Sequence, residues 1–213
     1  NHIINENVEI EHQEGEGLVE SRRFDISQID FDLLAAEFAK VKRKNLMIKD
    51  LNDLVQERLS KMMAVNPSRV DYYVRYMGII ETYNAEQDRT TIEKTFMELM
   101  DLAKSMSEEE QRYAREGFSS DEELSIYDLL FSENLSKSDI DKIKKMSKDL
   151  LQKIKERIAG MDHWTDKQET RAAVDVLIRN VLYEEIPDSM FDRLEAYRKA
   201  IYEHIYTHYK QAA

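Results

Sequence analysis

Two prolines and five glycines in 213 residues leave few places where a helix has to stop, and the stretches between those breaks carry apolar residues at helical spacing. Proline removes a helix donor and clashes with the preceding turn, while interior glycine costs about 1 kcal/mol relative to alanine. A chain this poor in both, with no period-2 alternation, is expected to be all-α, an irregular bundle of about nine helices. Phe31, Leu34, Phe38 and Val41 mark the first, and Leu51, Leu54, Val55, Leu59 and Met62 the second. Asn66-Pro67 ends the second, and Ser68 is placed as the cap of a third with Val70, Tyr73, Val74, Met77 and Ile80 on its inner stripe. Capping boxes at Thr90/Glu93, Ser107/Glu110, Ser120/Glu123 and Thr165/Gln168 predict four further starts, with Gly117 stopping the short acidic helix that follows Ser107. The longest helix runs from about Ser138 to Gly160, with Ile143, Met146, Leu150, Ile154 and Ile158 inward and Lys148 on the exposed side. Pro187-Asp188 opens the last, carrying Leu194, Tyr197, Ile201 and Ile205.

A hydrophobic fraction of 42%, with 11 Tyr, 7 Phe and 10 Met, is enough for one substantial core or two fused helical lobes, and a single domain is the expected arrangement. The absence of cysteine removes disulfides and thiolate metal sites and fits a cytoplasmic location. No apolar run approaches the roughly 18 residues that a membrane span needs, so no membrane partner is expected. Residues 1–23 read as an acidic linker or a cut end, since Glu6, Glu9, Glu11, Glu14, Glu16 and Glu20 come with no Lys or Arg before Arg22. The helical domain is then 24–213.

A net charge of −12 disfavours wrapping a polyanion, because nucleic-acid affinity comes mainly from cations that displace phosphate counterions. The charge is unevenly placed. Eight acids fall between Ser107 and Asp128, and eight bases between Ser136 and Arg157, including Lys142, Lys144, Lys145 and Lys148. A second basic knot is Lys40, Lys42, Arg43 and Lys44. Each cluster reads first as a solvated helix face and second as a contact with DNA or an acidic partner; neither has interleaved aromatics for base stacking.

Catalytic signatures do not assemble. There is no glycine-rich phosphate loop, and Pro187-Asp188 is not followed by the Asp/Glu-x-Lys that a metal nuclease requires. Glu9 to His12 spells one Glu-x-x-His element where a di-iron bundle needs two. His204 and His208, one turn apart, could face a zinc ion but bring no third ligand, and the tyrosines around them suit a packing face. No metal or cofactor is therefore expected. Trp164, just before Thr165, fits a hydrophobic staple at a helix entry or an anchor for a partner.

Over roughly Phe24 to Tyr209 the order and spacing of short segments resembles the C-terminal helical region of type I restriction enzyme R subunits (HsdR). The segments are Asp30-Phe31, Asn66-Pro67-Ser68-Arg69-Val70-Asp71, Tyr83-Asn84, Phe96-Met97-Glu98-Leu99, Gly117-Phe118-Ser119, Tyr127-Asp128, Asp162-His163-Trp164 and Ile201 to Tyr206. The resemblance implies a non-catalytic assembly domain of the motor and nuclease subunit, docking onto the methyltransferase core of modification and specificity subunits, with DNA touched weakly or indirectly. None of the family's nuclease or ATPase motifs is present, so no catalytic residue carries over. Trp164, Tyr206 and Tyr209 are the candidate anchors, with the two lysine clusters as steering charges. The alternative is a helical nucleic-acid contact module using the Lys142, Lys144, Lys145 and Lys148 face.

Overall fold

The computed structural model describes residues 29–86 and 88–210; the acidic stretch 1–23 lies outside them. Among the described residues there are nine α-helices and no strand. They are α1 (Phe31–Lys40), α2 (Lys44–Val65), α3 (Val70–Ala85), α4 (Arg89–Glu110), α5 (Arg112–Arg115), α6 (Asp121–Leu130), α7 (Lys137–Ala159), α8 (Gln168–Glu185) and α9 (Leu194–His208). The chain divides into two compact units that interleave in sequence: residues up to Ser60 with Tyr72–Glu109, and Lys61–Asp71 with Glu110 onward.

In the first unit α1 is capped by Asp30, whose carboxylate accepts from the backbone N–H of Asp32 and Leu33 at 3.1 and 3.0 Å. Its Phe38 stacks face to face on Phe96 of α4, with centroids 3.6 Å apart. The cap of α4 is Asp88, accepting from Thr91 N–H at 2.6 Å, rather than Thr90, which falls inside the first turn. Nor does a new helix begin at Ser107: nothing between Leu99 and Glu110 breaks the ladder, and Leu102, Ala103 and Met106 keep α4 buried through that point. On α3 the inward face differs from the expected one. Tyr76 and Ile79 are buried, with the Tyr76 hydroxyl donating to Asn52 Oδ1 at 3.0 Å, while Val70, Tyr73 and Val74 are exposed. A helix with apolar residues on two sides has a period but no preferred side until a partner is fixed.

The second unit holds a core built by α6 to α9. Each of these helices packs on the next, and α9 returns to α6, which closes the ring. Ile143, Met146, Leu150, Ile154 and Ile158 of α7 face Leu124, Leu130, Val174, Ile178, Ile201 and Ile205 in one cluster. The predicted stripe is thus the observed one. Ser120 caps α6 through Glu123 N–H, and the Glu123 side chain answers by accepting from Ser119 N–H at 2.8 Å. Ser136, two residues before the expected Ser138, caps α7 through Asp139 N–H at 3.1 Å. Asn66, not Ser68, caps the turn at Pro67–Arg69, accepting from Ser68 N–H at 3.1 Å. A six-residue 3₁₀ turn, Asp188–Arg193, precedes α9. Replacing Leu150 by alanine should cost about 2–5 kcal/mol in a urea melt, through lost transfer energy plus the cavity left behind. Exposed Lys145→Ala should stay within about 0.5 kcal/mol, and equal losses would refute the packing order.

Candidate partner-binding surface

The lysine-rich helix α7 turns much of its charge inward. After α5, Gly117 adopts φ 80°, a left-handed conformation that glycine reaches without a Cβ penalty, and the chain reverses as Phe118 N–H returns to the Tyr113 carbonyl at 2.8 Å. That reversal aims carbonyls at α7. Lys144 donates to the Glu116 carbonyl (3.1 Å) and carboxylate (2.7 Å), and Lys148 donates to the Gly117 carbonyl at 2.6 Å. Both ammonium groups also lie over the Phe118 ring, at 6.0 and 5.4 Å from its centroid. Two turns on, Lys155 pairs with Glu122. Lys142 and Lys145 are exposed, between the acids Asp141 and Asp149. The sequence reading of a four-lysine face is corrected accordingly: two of the four hold the α5–α6 loop, and Lys148 is not a neutral surface position. In the first unit Lys40, Lys42 and Arg43 are exposed, whereas Lys44 binds Glu93 at 2.7 Å and sits 4.9 Å over the Phe38 ring. That ion pair and the Arg89 contact lower the Glu93 carboxyl below its ordinary value.

The aromatic candidates form one group. Trp164 lies in the turn between α7 and α8, where His163 takes φ 47° and Thr170 Oγ1 donates to the Trp164 carbonyl at 2.6 Å. Its side chain has 0% exposure, and its indole N–H donates to the Tyr209 carbonyl at 2.6 Å. Tyr202 and Tyr206 present their rings to the indole edge to face, at 6.4 and 5.9 Å, and stack on each other at 6.1 Å. Trp164 therefore offers no surface to a partner and is corrected from anchor to internal support. Tyr206, 37% exposed, remains a surface ring held by that support. Tyr209 is half-buried, and burial with nearby Glu122 raises its hydroxyl pKa well above the ordinary value. The Thr165 box is not used: α8 starts at Gln168 with Lys167 at the cap position.

Two polar networks carry no sequence signature. Asp128 on α6 accepts from Asn66 Nδ2 at 2.7 Å, Ser68 Oγ at 3.3 Å and both terminal guanidinium nitrogens of Arg112, while Arg69 grips Asp121 with two bonds of 2.7 and 2.6 Å. The second joins Ser125 of α6 to His204 of α9 at 3.0 Å. Apart from the Arg112 pair, these bonds join residues 52 to 79 apart in sequence, so only an i, i+2 hint at Asn66-Pro67-Ser68 could have flagged the first. Among the described residues no three or more His, Asp or Glu converge as metal ligands. No described helix is long and apolar enough to cross a membrane.

Residues 16–209 match the family model described as type I restriction enzyme HindI endonuclease subunit-like, C-terminal. The chain belongs to that family. It is also 27% identical over 183 residues to a protein named as a type I restriction enzyme MjaIXP endonuclease subunit from Methanocaldococcus jannaschii, a match that takes in 80% of this chain. It spans 17% of that relative's length. No solved structure matches the chain significantly. As a member of this family, the chain corresponds to the C-terminal region of a type I restriction endonuclease subunit, and its all-helical fold is that of an irregular bundle.

Proposed function

We propose that this chain is a non-catalytic assembly module, which docks the endonuclease subunit onto the methyltransferase core of a type I restriction complex in the cytoplasm. Membership of a family defined by the C-terminal region of that subunit supports the reading. The observation that carries it is the contrast between α7 and α9. Lys144, Lys148 and Lys155 are committed to contacts inside the chain, which leaves a mixed-sign outer face on α7. On α9, Tyr206 stands at the surface on a rigid stack of Tyr202 and Trp164, the pre-ordered aromatic ring that favours an interface anchor. Exposed Lys142 and Lys145 then steer approach to an acidic partner and add little to the final affinity.

Mixing the chain with the cognate modification and specificity subunits should shift it to a larger species in size-exclusion chromatography. Tyr206→Ala should speed dissociation, while the double change Lys142→Ala, Lys145→Ala should slow association, with the effect fading as salt rises. Duplex DNA alone should bind no tighter than about 10⁻⁵ M at physiological salt. Sub-micromolar, salt-sensitive binding to duplex with no shift on the subunits would instead establish the nucleic-acid module.

A further inference from the structure

The contact between α6 and α9 has a proton problem built into it. Ser125 and His204 are both buried in the core of the second unit, and they meet at 3.0 Å through Ser125 Oγ and His204 Nε2. The serine hydroxyl has one hydrogen, which it donates to the Glu122 carbonyl one turn back at 2.7 Å. Its oxygen therefore accepts, and His204 must donate from Nε2–H. That choice fixes the neutral tautomer and leaves Nδ1 as a bare lone pair. Nδ1 is buried and has no hydrogen-bond partner.

We propose that the Ser125–His204 bond is a proton-operated latch on the end of α9: protonating Nδ1 drives the His204 ring out of its pocket and frees the chain from His204 to Tyr209. A proton at Nδ1 would create a buried N–H without an acceptor, on a ring that has become a cation without water. The groups facing it do little to help. From α9, His208 lies with its ring 4.8 Å away and adds like charge once protonated; just beyond the helix, the Tyr209 ring lies at 6.2 Å. From α6, Glu122 is the anion that favours the cation, but Lys155 of α7 already occupies that carboxylate. Burial is the largest of these influences and His208 the next, so the His204 pKa falls from its ordinary 6.5 to about 4.

Closed, the ring stays neutral down to about pH 4, whereas a released ring takes up a proton near 6.5. The latch is thus fully closed above 6.5 and loses its hold as pH falls toward 4. Its release can be seen, because the chain's one tryptophan, Trp164, is bonded to the carbonyl of Tyr209 at the end of the released segment.

The test is a pH titration of the full chain from 7.5 to 3.5, read by tryptophan emission and far-ultraviolet circular dichroism, with histidine tautomers read by nitrogen NMR at pH 7.5. The expected result is an Nε2–H tautomer at His204 and a red shift of emission between pH 6.5 and 4, with helix content falling by no more than the stretch of α9 from His204 to its end. His204→Gln should abolish that step, and His208→Gln, by removing the like charge that disfavours the closed cation, should move it to lower pH. An Nδ1–H tautomer overturns the proposal, as does an emission step that persists in His204→Gln or coincides with melting of all the helices. If His204→Gln does not fold, the His208→Gln titration decides: a step moved to higher pH overturns the latch. The readout uses the chain alone, so it succeeds or fails independently of docking to a methyltransferase.

Discussion

Trp164→Ala lowers the stability of the chain by about 3–5 kcal/mol, the range for removing a large aromatic ring from a core. The indole is fully buried, so its removal leaves a cavity lined by Tyr202 and Tyr206, which lose their edge-to-face partner. The Tyr209 carbonyl also loses its donor. Trp164→Phe separates the two contributions: it keeps most of the ring and drops the N–H, and should cost about 1–3 kcal/mol. Urea melts followed by circular dichroism measure both. A loss below about 1 kcal/mol for the alanine variant would mean that the turn between α7 and α8 is not the support described. Because this variant destabilises the fold, Tyr206→Ala is the cleaner probe of docking.

Asp128→Ala should be nearly as damaging, at about 3–5 kcal/mol, for an electrostatic reason. Its carboxylate is the shared acceptor of Asn66, Ser68 and Arg112, and Asn66 has no exposure to water. Deleting the acceptor leaves the Asn66 amide buried without that bond and strips Arg112 of a two-pronged partner whose own carboxylate is almost out of solvent. Asp128→Asn keeps the shape and one acceptor oxygen and should recover only part of the loss, where a pure packing role would give full recovery. Equal stability of Asp128→Ala and the parent chain in urea would show that the turn at 66–69 is held by the backbone alone.

What could be read from the sequence tracks the range of the interactions. Helix number, the stripe of α7 and the cap at Ser120 follow from residues within four positions of one another, where spacing determines which side chains meet. Misplaced starts at Thr90, Ser107 and Ser138 come from the same short range, because several Ser, Thr and Asp residues compete for each cap and the winner is decided by where the buried stripe begins. The inner side of α3 was beyond this reach: Tyr73 and Tyr76 are chemically alike, and it is Tyr76 that packs inward and bonds the Asn52 side chain of α2.

The candidate surface divides in the same way. Composition and pattern identify α7 as lysine-rich and the end of α9 as tyrosine-rich, and the order of short segments points to the family. Which lysines are free depends on the loop reversed at Gly117, and whether Trp164 is a contact or a support depends on Tyr209, 45 residues away. By itself, the sequence determined an all-helical chain with the C-terminal signature of a type I restriction endonuclease subunit, since propensity, capping and stripe are local. The interleaving of two units, the Asp128 network and the Ser125–His204 bond were decided only by the tertiary structure, because each needs partners whose nearness comes from packing and not from spacing along the chain.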